Sequence, residues 1–118
     1  ELGDTLGAFH ADLGDKMKRV LVVTMSEFGR RVEENGSGGT DHGHANAMFL
    51  LGGGVVGGKV HGTWPGLAKE NLDNGDLALS TDYRDVLSEI ISKRLGNANL
   101  ADIFPNYTAK FRSVVNKD

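Results

Sequence analysis

The sequence predicts an α/β fold, a partial and mostly parallel sheet with helices flanking it. Two short runs, Val20-Leu21-Val22-Val23 and Ala47-Met48-Phe49-Leu50-Leu51, are apolar without alternation, the pattern of strands buried on both faces. Helical periodicity stands before the first run and again after the second. A helix followed by a buried strand is half of a βαβ unit, which is the basis for expecting parallel pairing.

Taken in order, Leu2, Leu6, Phe9 and Leu13 recur at four, three and four residues, one apolar face of a helix that ends near Gly14. The Val20 run follows, introduced by Lys18-Arg19 and closed by Thr24-Met25-Ser26-Glu27. Phe28 to His44 reads as irregular, because Gly29, Gly36, Gly38 and Gly39 interrupt it and Arg30-Arg31 and Glu33-Glu34 keep it wet. After the Ala47 run, Gly52-Gly53-Gly54 ends the strand, and Val55 to His61 reads as a hairpin with an edge strand. Trp64-Pro65-Gly66 and Asp73-Asn74-Gly75 are turns, with Trp64 expected to pack as a lid over the sheet edge. Leu77-Ala78-Leu79 is a short strand. Thr81 or Asp82 then caps a helix with apolar positions Val86, Leu87, Ile90, Ile91 and Leu95. Asp85 in its first turn, Lys93-Arg94 in its last and Gly96 after it suit the helix dipole and the stop. Arg84 runs against that dipole and reads as a surface or interdomain contact. Asp102 to Pro105 is a loop, and the segment from Tyr107 fits no single pattern.

With 118 residues the chain is one domain, 1–118, with a modest core. A net charge of -3 offers no general attraction to nucleic acid or anionic lipid, so neither is an expected partner. No apolar stretch approaches the roughly 20 residues of a membrane helix, so membrane insertion is not expected. The absence of cysteine excludes disulfides and thiolate metal sites, leaving imidazole, carboxylate and water for any metal. The opening Glu1-Leu2-Gly3-Asp4 lacks an initiator Met and reads as a piece of something longer.

The chemistry concentrates around Thr40-Asp41-His42-Gly43-His44. Two imidazoles two residues apart beside a carboxylate, in a glycine-flanked loop, suit a divalent ion such as zinc or manganese. The same loop also reads as a polar turn in which Asp41 bonds backbone amides. Glu27 lies at the carboxyl end of the first strand, where open α/β sheets form ligand sites, as a ligand, a general base or a neighbour of a helix cap. Arg30 either pairs with Glu27 or grips a substrate oxyanion. His61 either approaches the site from the edge strand or lies exposed, and His10 has no expected role.

Together these segments carry a resemblance. Val20 to Arg30, then Gly39-Thr40-Asp41-His42-Gly43-His44-Ala45, Leu51-Gly52-Gly53-Gly54-Val55, Gly58-Lys59-Val60, Trp64-Pro65-Gly66-Leu67, Thr81 to Val86 and Phe104-Pro105 are similar to the carboxyl-terminal part of a bacterial sulfatase-like family of twin-arginine-exported proteins. That family is grouped with the alkaline phosphatase superfamily. The resemblance implies a carboxyl-terminal fragment of a larger α/β hydrolase, exported or periplasmic. It also implies metal ligands Glu27 and His42 or His44, with Asp41 a ligand or orienter, and Arg30 as a catalytic oxyanion contact for a phosphate or sulfate ester. The nucleophile has no counterpart here, so the rest of the parent chain is an implied partner, and self-association through an exposed sheet edge is expected of the piece alone. The alternative is a non-catalytic interaction module of the same fold at the cell envelope.

Overall fold

A computed structural model describes residues 1–117. The fold is mixed α/β, with three helices and short strands in antiparallel pairs. Helix α1 (Leu2–Leu13) forms where the four-three-four spacing places it, and a 3-10 turn over Gly14–Arg19 carries the chain into β1 (Leu21–Val23). Next come β2 (Gly29–Arg30), β3 (His42–Gly43) and β4 (Leu50–Gly52). The hairpin of β5 (Leu72–Asp73) and β6 (Asp76–Leu77) precedes α2 (Tyr83–Arg94) and the single turn α3 (Leu100–Ile103).

Both apolar runs form strands, but the mostly parallel sheet is not what they build. β1 pairs with β4 antiparallel, Leu21 opposite Gly52 and Val23 opposite Leu50. The reason lies in the connection. A parallel pair needs a crossover long enough to carry the chain back to the starting edge, usually through a helix. Residues 24–49 contain no helix and fold instead into the β2–β3 loop, which returns the chain in the opposite direction. The strands are also only half-buried, with Leu21, Val23 and Leu50 turned towards the core cluster of Val86, Ile90, Val114 and Val115. Period-two alternation therefore governs a run that contains no polar residue.

Two further expectations change. Val55 to His61 forms no hairpin: Val55 bridges Val115 instead, Val56 N–H donates to Val114 O at 2.9 Å, and Asn116 N–H donates to Gly54 O at 2.7 Å. The later segment has taken the pairing edge that a returning strand would need. His61 Nε2 donates to Val56 O at 2.8 Å within this arrangement. Trp64 covers nothing, being 68% exposed. The Asp73-Asn74-Gly75 turn is confirmed, with φ of 50° at Asn74 and 89° at Gly75, the left-handed pair that a two-residue hairpin turn requires.

Helix α2 organises the core. Asp82 caps it, accepting from Arg84 N–H at 2.9 Å, and Lys93 and Arg94 close the last turn. Arg84 is bound locally: its guanidinium grips the Asp82 carboxylate at 2.9 and 2.7 Å and lies 3.7 Å over the Tyr107 ring. The face of α2 beside Val86 and Ile90 is charged and yet buried, with Asp85 1% and Glu89 0% exposed. The segment from Tyr107 to Val115 satisfies both carboxylates. Asp85 accepts from Tyr107 Oη at 2.7 Å, Lys110 N–H at 2.7 Å and the Arg112 guanidinium at 2.6 and 2.9 Å. Glu89 accepts from Lys93 Nζ at 2.6 Å and Arg112 N–H at 2.7 Å, and Lys93 Nζ donates onward to Val115 O at 2.9 Å. This strap brings Val114 and Val115 into the core, where they are 2% and 1% exposed.

Charge follows geometry here. Burial pushes both carboxyls up, yet the Lys110 N–H, Tyr107 hydroxyl and Arg112 guanidinium hold Asp85 below the ordinary range. Lys93 and the Arg112 N–H do the same for Glu89. Burial and donation to Asp85 push the Tyr107 hydroxyl up to about 12.

Candidate functional site

The candidate site is built where the chain leaves β1. Thr24 anchors the exit, its N–H donating to Phe49 O at 3.0 Å while its Oγ1 accepts from Phe49 N–H at 2.9 Å. Beyond it, Ser26 Oγ donates to Phe28 O at 2.8 Å, and Asn46 Nδ2 donates to the same carbonyl at 3.0 Å. Asn46 thereby ties the two ends of the 28–44 segment together. Between them β2 and β3 pair, Gly29 opposite Gly43 and Arg30 opposite His42. Glycine is required at both crossing points. A Cβ on Gly29 would lie 1.7 Å from Ala45 O, and one on Gly43 would lie 2.4 Å from the Arg30 carbonyl carbon. The glycines read as breakers in the sequence are what let this strand pair close.

The tip of the segment is a self-contained polar loop. Asn35 N–H donates to Gly39 O at 2.7 Å, and Asn35 Oδ1 accepts from Ser37 and Gly39 N–H at 3.0 and 3.1 Å. Asn35 Nδ2 donates to Asp41 Oδ1 at 2.9 Å, and Asp41 O accepts from Arg31 N–H at 3.0 Å. The backbone amides that the polar-turn reading gave to Asp41 are taken by Asn35 Oδ1, and the Asp41 carboxylate, still exposed, accepts from the Asn35 side chain instead.

Arg30 and His42 flank the Phe28 ring. His42 stacks on it at 3.8 Å between centroids with 22° between planes, and the Arg30 guanidinium carbon lies 5.5 Å from its centre. Arg30 also donates to Thr40 O at 3.0 Å and remains exposed. Next to this stack a shallow cleft of about 470 Å³ is lined by Ser26, Phe28, Arg30, Asn46, Ala47 and Leu77.

His44 takes a different direction. Its Nδ1 lies 3.8 Å from Asp73 Oδ2 on the β5–β6 hairpin, and both side chains are more than half exposed. Arg31 supports the same junction, donating to Asn74 O at 2.8 Å with Nε 3.7 Å from Asp76. Glu27 is exposed between Ser26 and Phe28. Among the described residues no group of three or more His, Asp or Glu side chains is placed to share a metal ion. Of the four ligands expected from the sequence, His42 is engaged by an aromatic ring, Asp41 by an asparagine and His44 by a carboxylate. Asp73, which the sequence marks only as a turn residue, is the acidic partner. The one signal for it was its place beside Asn74-Gly75, whose tight reversal turns that hairpin back on itself.

Residues 1–96 match the family described as Protein of unknown function (DUF1501), and the chain belongs to that family. This corrects the resemblance to the sulfatase-like group of the alkaline phosphatase superfamily. Every segment that carried that resemblance, Phe104-Pro105 excepted, lies inside the residues matched by the other family. Comparison with curated proteins and with solved structures returned no match.

Proposed function

We propose that the surface running from Ser26 through the Asp41–His44 loop to Asp73 is one wall of a divalent-metal-dependent hydrolytic centre acting on an anionic ester. The observation that carries this reading is the approach of His44 Nδ1 to Asp73 Oδ2, 3.8 Å apart and open to solvent. Imidazole nitrogen with carboxylate oxygen suits zinc or manganese, and the pair amounts to half of a ligand set. Polypeptide other than the described residues would supply the remainder. A bound ion would polarise the ester oxygen and activate water. Arg30, held by Thr40 O and resting against Phe28, would present its remaining N–H groups to a phosphate or sulfate oxygen. Asp41 keeps the loop in shape, and His42 braces the Phe28 wall.

The test is titration of the protein with zinc and with manganese. The parent chain is expected to bind, and His44→Ala and Asp73→Asn are each expected to weaken binding at least about tenfold. Failure of the parent to bind either ion, or variants that bind as tightly as the parent, would overturn the reading. Arg31 favours a second reading, because its contacts with Asn74 and Asp76 already join these segments. On that reading His44–Asp73 is one more tie in a binding scaffold, and His44→Ala would lower thermal stability equally with and without metal.

A further inference from the structure

Helix α1 poses a physical problem. It packs on the adjoining turn, none of its residues is buried, and Leu2 and Phe9 are 54% and 42% exposed. A 12-residue helix containing Gly3 and Gly7, with no side-chain cap at Glu1, is marginal in water when nothing covers its apolar stripe. The whole chain carries the same mark. Its accessible surface is 8290 Å², whereas a folded protein of this mass exposes about 6,200 Å². The excess is larger than the roughly 800 Å² that each partner contributes to a standard interface.

A complementary feature lies close by. A groove of about 490 Å³ runs between the Lys18–Leu21 segment and the end of α2. Leu21, Val23, Ile90 and Leu95 give it an apolar floor, and Lys18, Arg19 and Arg94 line it, Lys18 being paired with Asp15 of its own chain at 2.8 Å. The α1 arm carries Leu2, Leu6, Phe9 and Leu13 on one stripe and the acidic side chains of Glu1, Asp4 and Asp12, with Asp4 3.0 Å from the Glu1 amine. Its own groove is hard to reach. The turn joining them is fixed, with Met17 buried and its carbonyl accepting from Val20 and Gly53 N–H at 3.2 and 3.1 Å.

We infer that α1 docks in the Lys18–Leu95 groove of a second copy of this chain, in a two-fold exchange where each arm fills the other's groove. An amphipathic helix in an apolar groove is a standard recognition mode, and reciprocal docking closes the assembly at two. Opposite charges on arm and groove set the direction of docking and make the association sensitive to salt.

Light scattering and sedimentation over a concentration series are expected to give a dimer. Leu6→Glu with Phe9→Glu, which replaces no buried residue, is expected to give a monomer with reduced helical dichroism. Arg19→Glu is expected to weaken the dimer at least about tenfold. The chain has no cysteine, so Phe9→Cys with Leu95→Cys reports the contact directly, by a disulfide joining two chains. A monomeric parent at every concentration, or a disulfide closing within one chain, overturns the inference.

Discussion

Two charged surfaces of this molecule handle carboxylates in opposite ways. On α2, Asp85 and Glu89 are removed from water and surrounded by donors from one strap, Tyr107 to Val115, and from Lys93 on the helix itself. On the Ser26–Asp73 surface, Asp41, Asp73, His42 and His44 stay wet, Asp41 held within its own loop and His44 meeting Asp73 from a separate segment. Displaced titration often marks an active site. In this fold the buried displaced carboxyls, Asp85 and Glu89, lie on α2 beneath the strap, where each is held by several donors. Strong electrostatics here serves architecture, and accessible chemistry lies where the interactions are weak.

The contrast is sharpest in its energetics. Asp85→Ala leaves the Arg112 guanidinium and the Lys110 N–H without their acceptor, and a loss of about 3 kcal/mol or more is expected in denaturant unfolding. A loss under about 1 kcal/mol would show that the strap is no tighter than the open surface.

The pH dependence follows from the direction of each shift. Asp85 and Glu89 are held below their unfolded values of about 4, so their contribution is complete above that pH and drains away as pH falls through the lowered folded values. Tyr107 shifts the other way, from an unfolded value of about 10 up to about 12, so its contribution is lost as pH rises across that interval. Melting temperature measured across both ranges should fall at each end, and a profile flat below pH 4 would break the assignment. The smallest effect belongs to the open surface. His44→Ala removes an exposed pair and is expected to cost under about 1 kcal/mol by the same unfolding measurement.

The sequence announced some of this and concealed the rest for definable reasons. Both longer helices follow from local rules: spacing for α1, and for α2 the Asp82 cap with Lys93-Arg94 at the far end. The Asp73-Asn74-Gly75 reversal follows from turn chemistry. Strand direction does not, because it depends on the path of residues 24–49 and not on the strands themselves. Burial of Asp85 and Glu89 was equally hidden. Periodicity assigns charged helix positions to solvent, and only the arrival of Arg112 and Lys110 from an unpatterned segment reverses that. At the candidate site the Asp41–His44 motif was visible, whereas its acidic counterpart Asp73 depended on a tertiary approach that spacing does not encode.

The order in which the polypeptide is made gives the strap another consequence. Helix α2 leaves the ribosome before residues 107–115, so Val86 and Ile90 must wait for the valines that complete their packing. During that interval Asp85 faces water without its strap donors, and Glu89 has only Lys93 of the same helix for a partner. They hydrate and repel on the one helical face that would otherwise adhere to other nascent chains. The groups that later fasten the finished fold thus also act as its temporary solubilising coat.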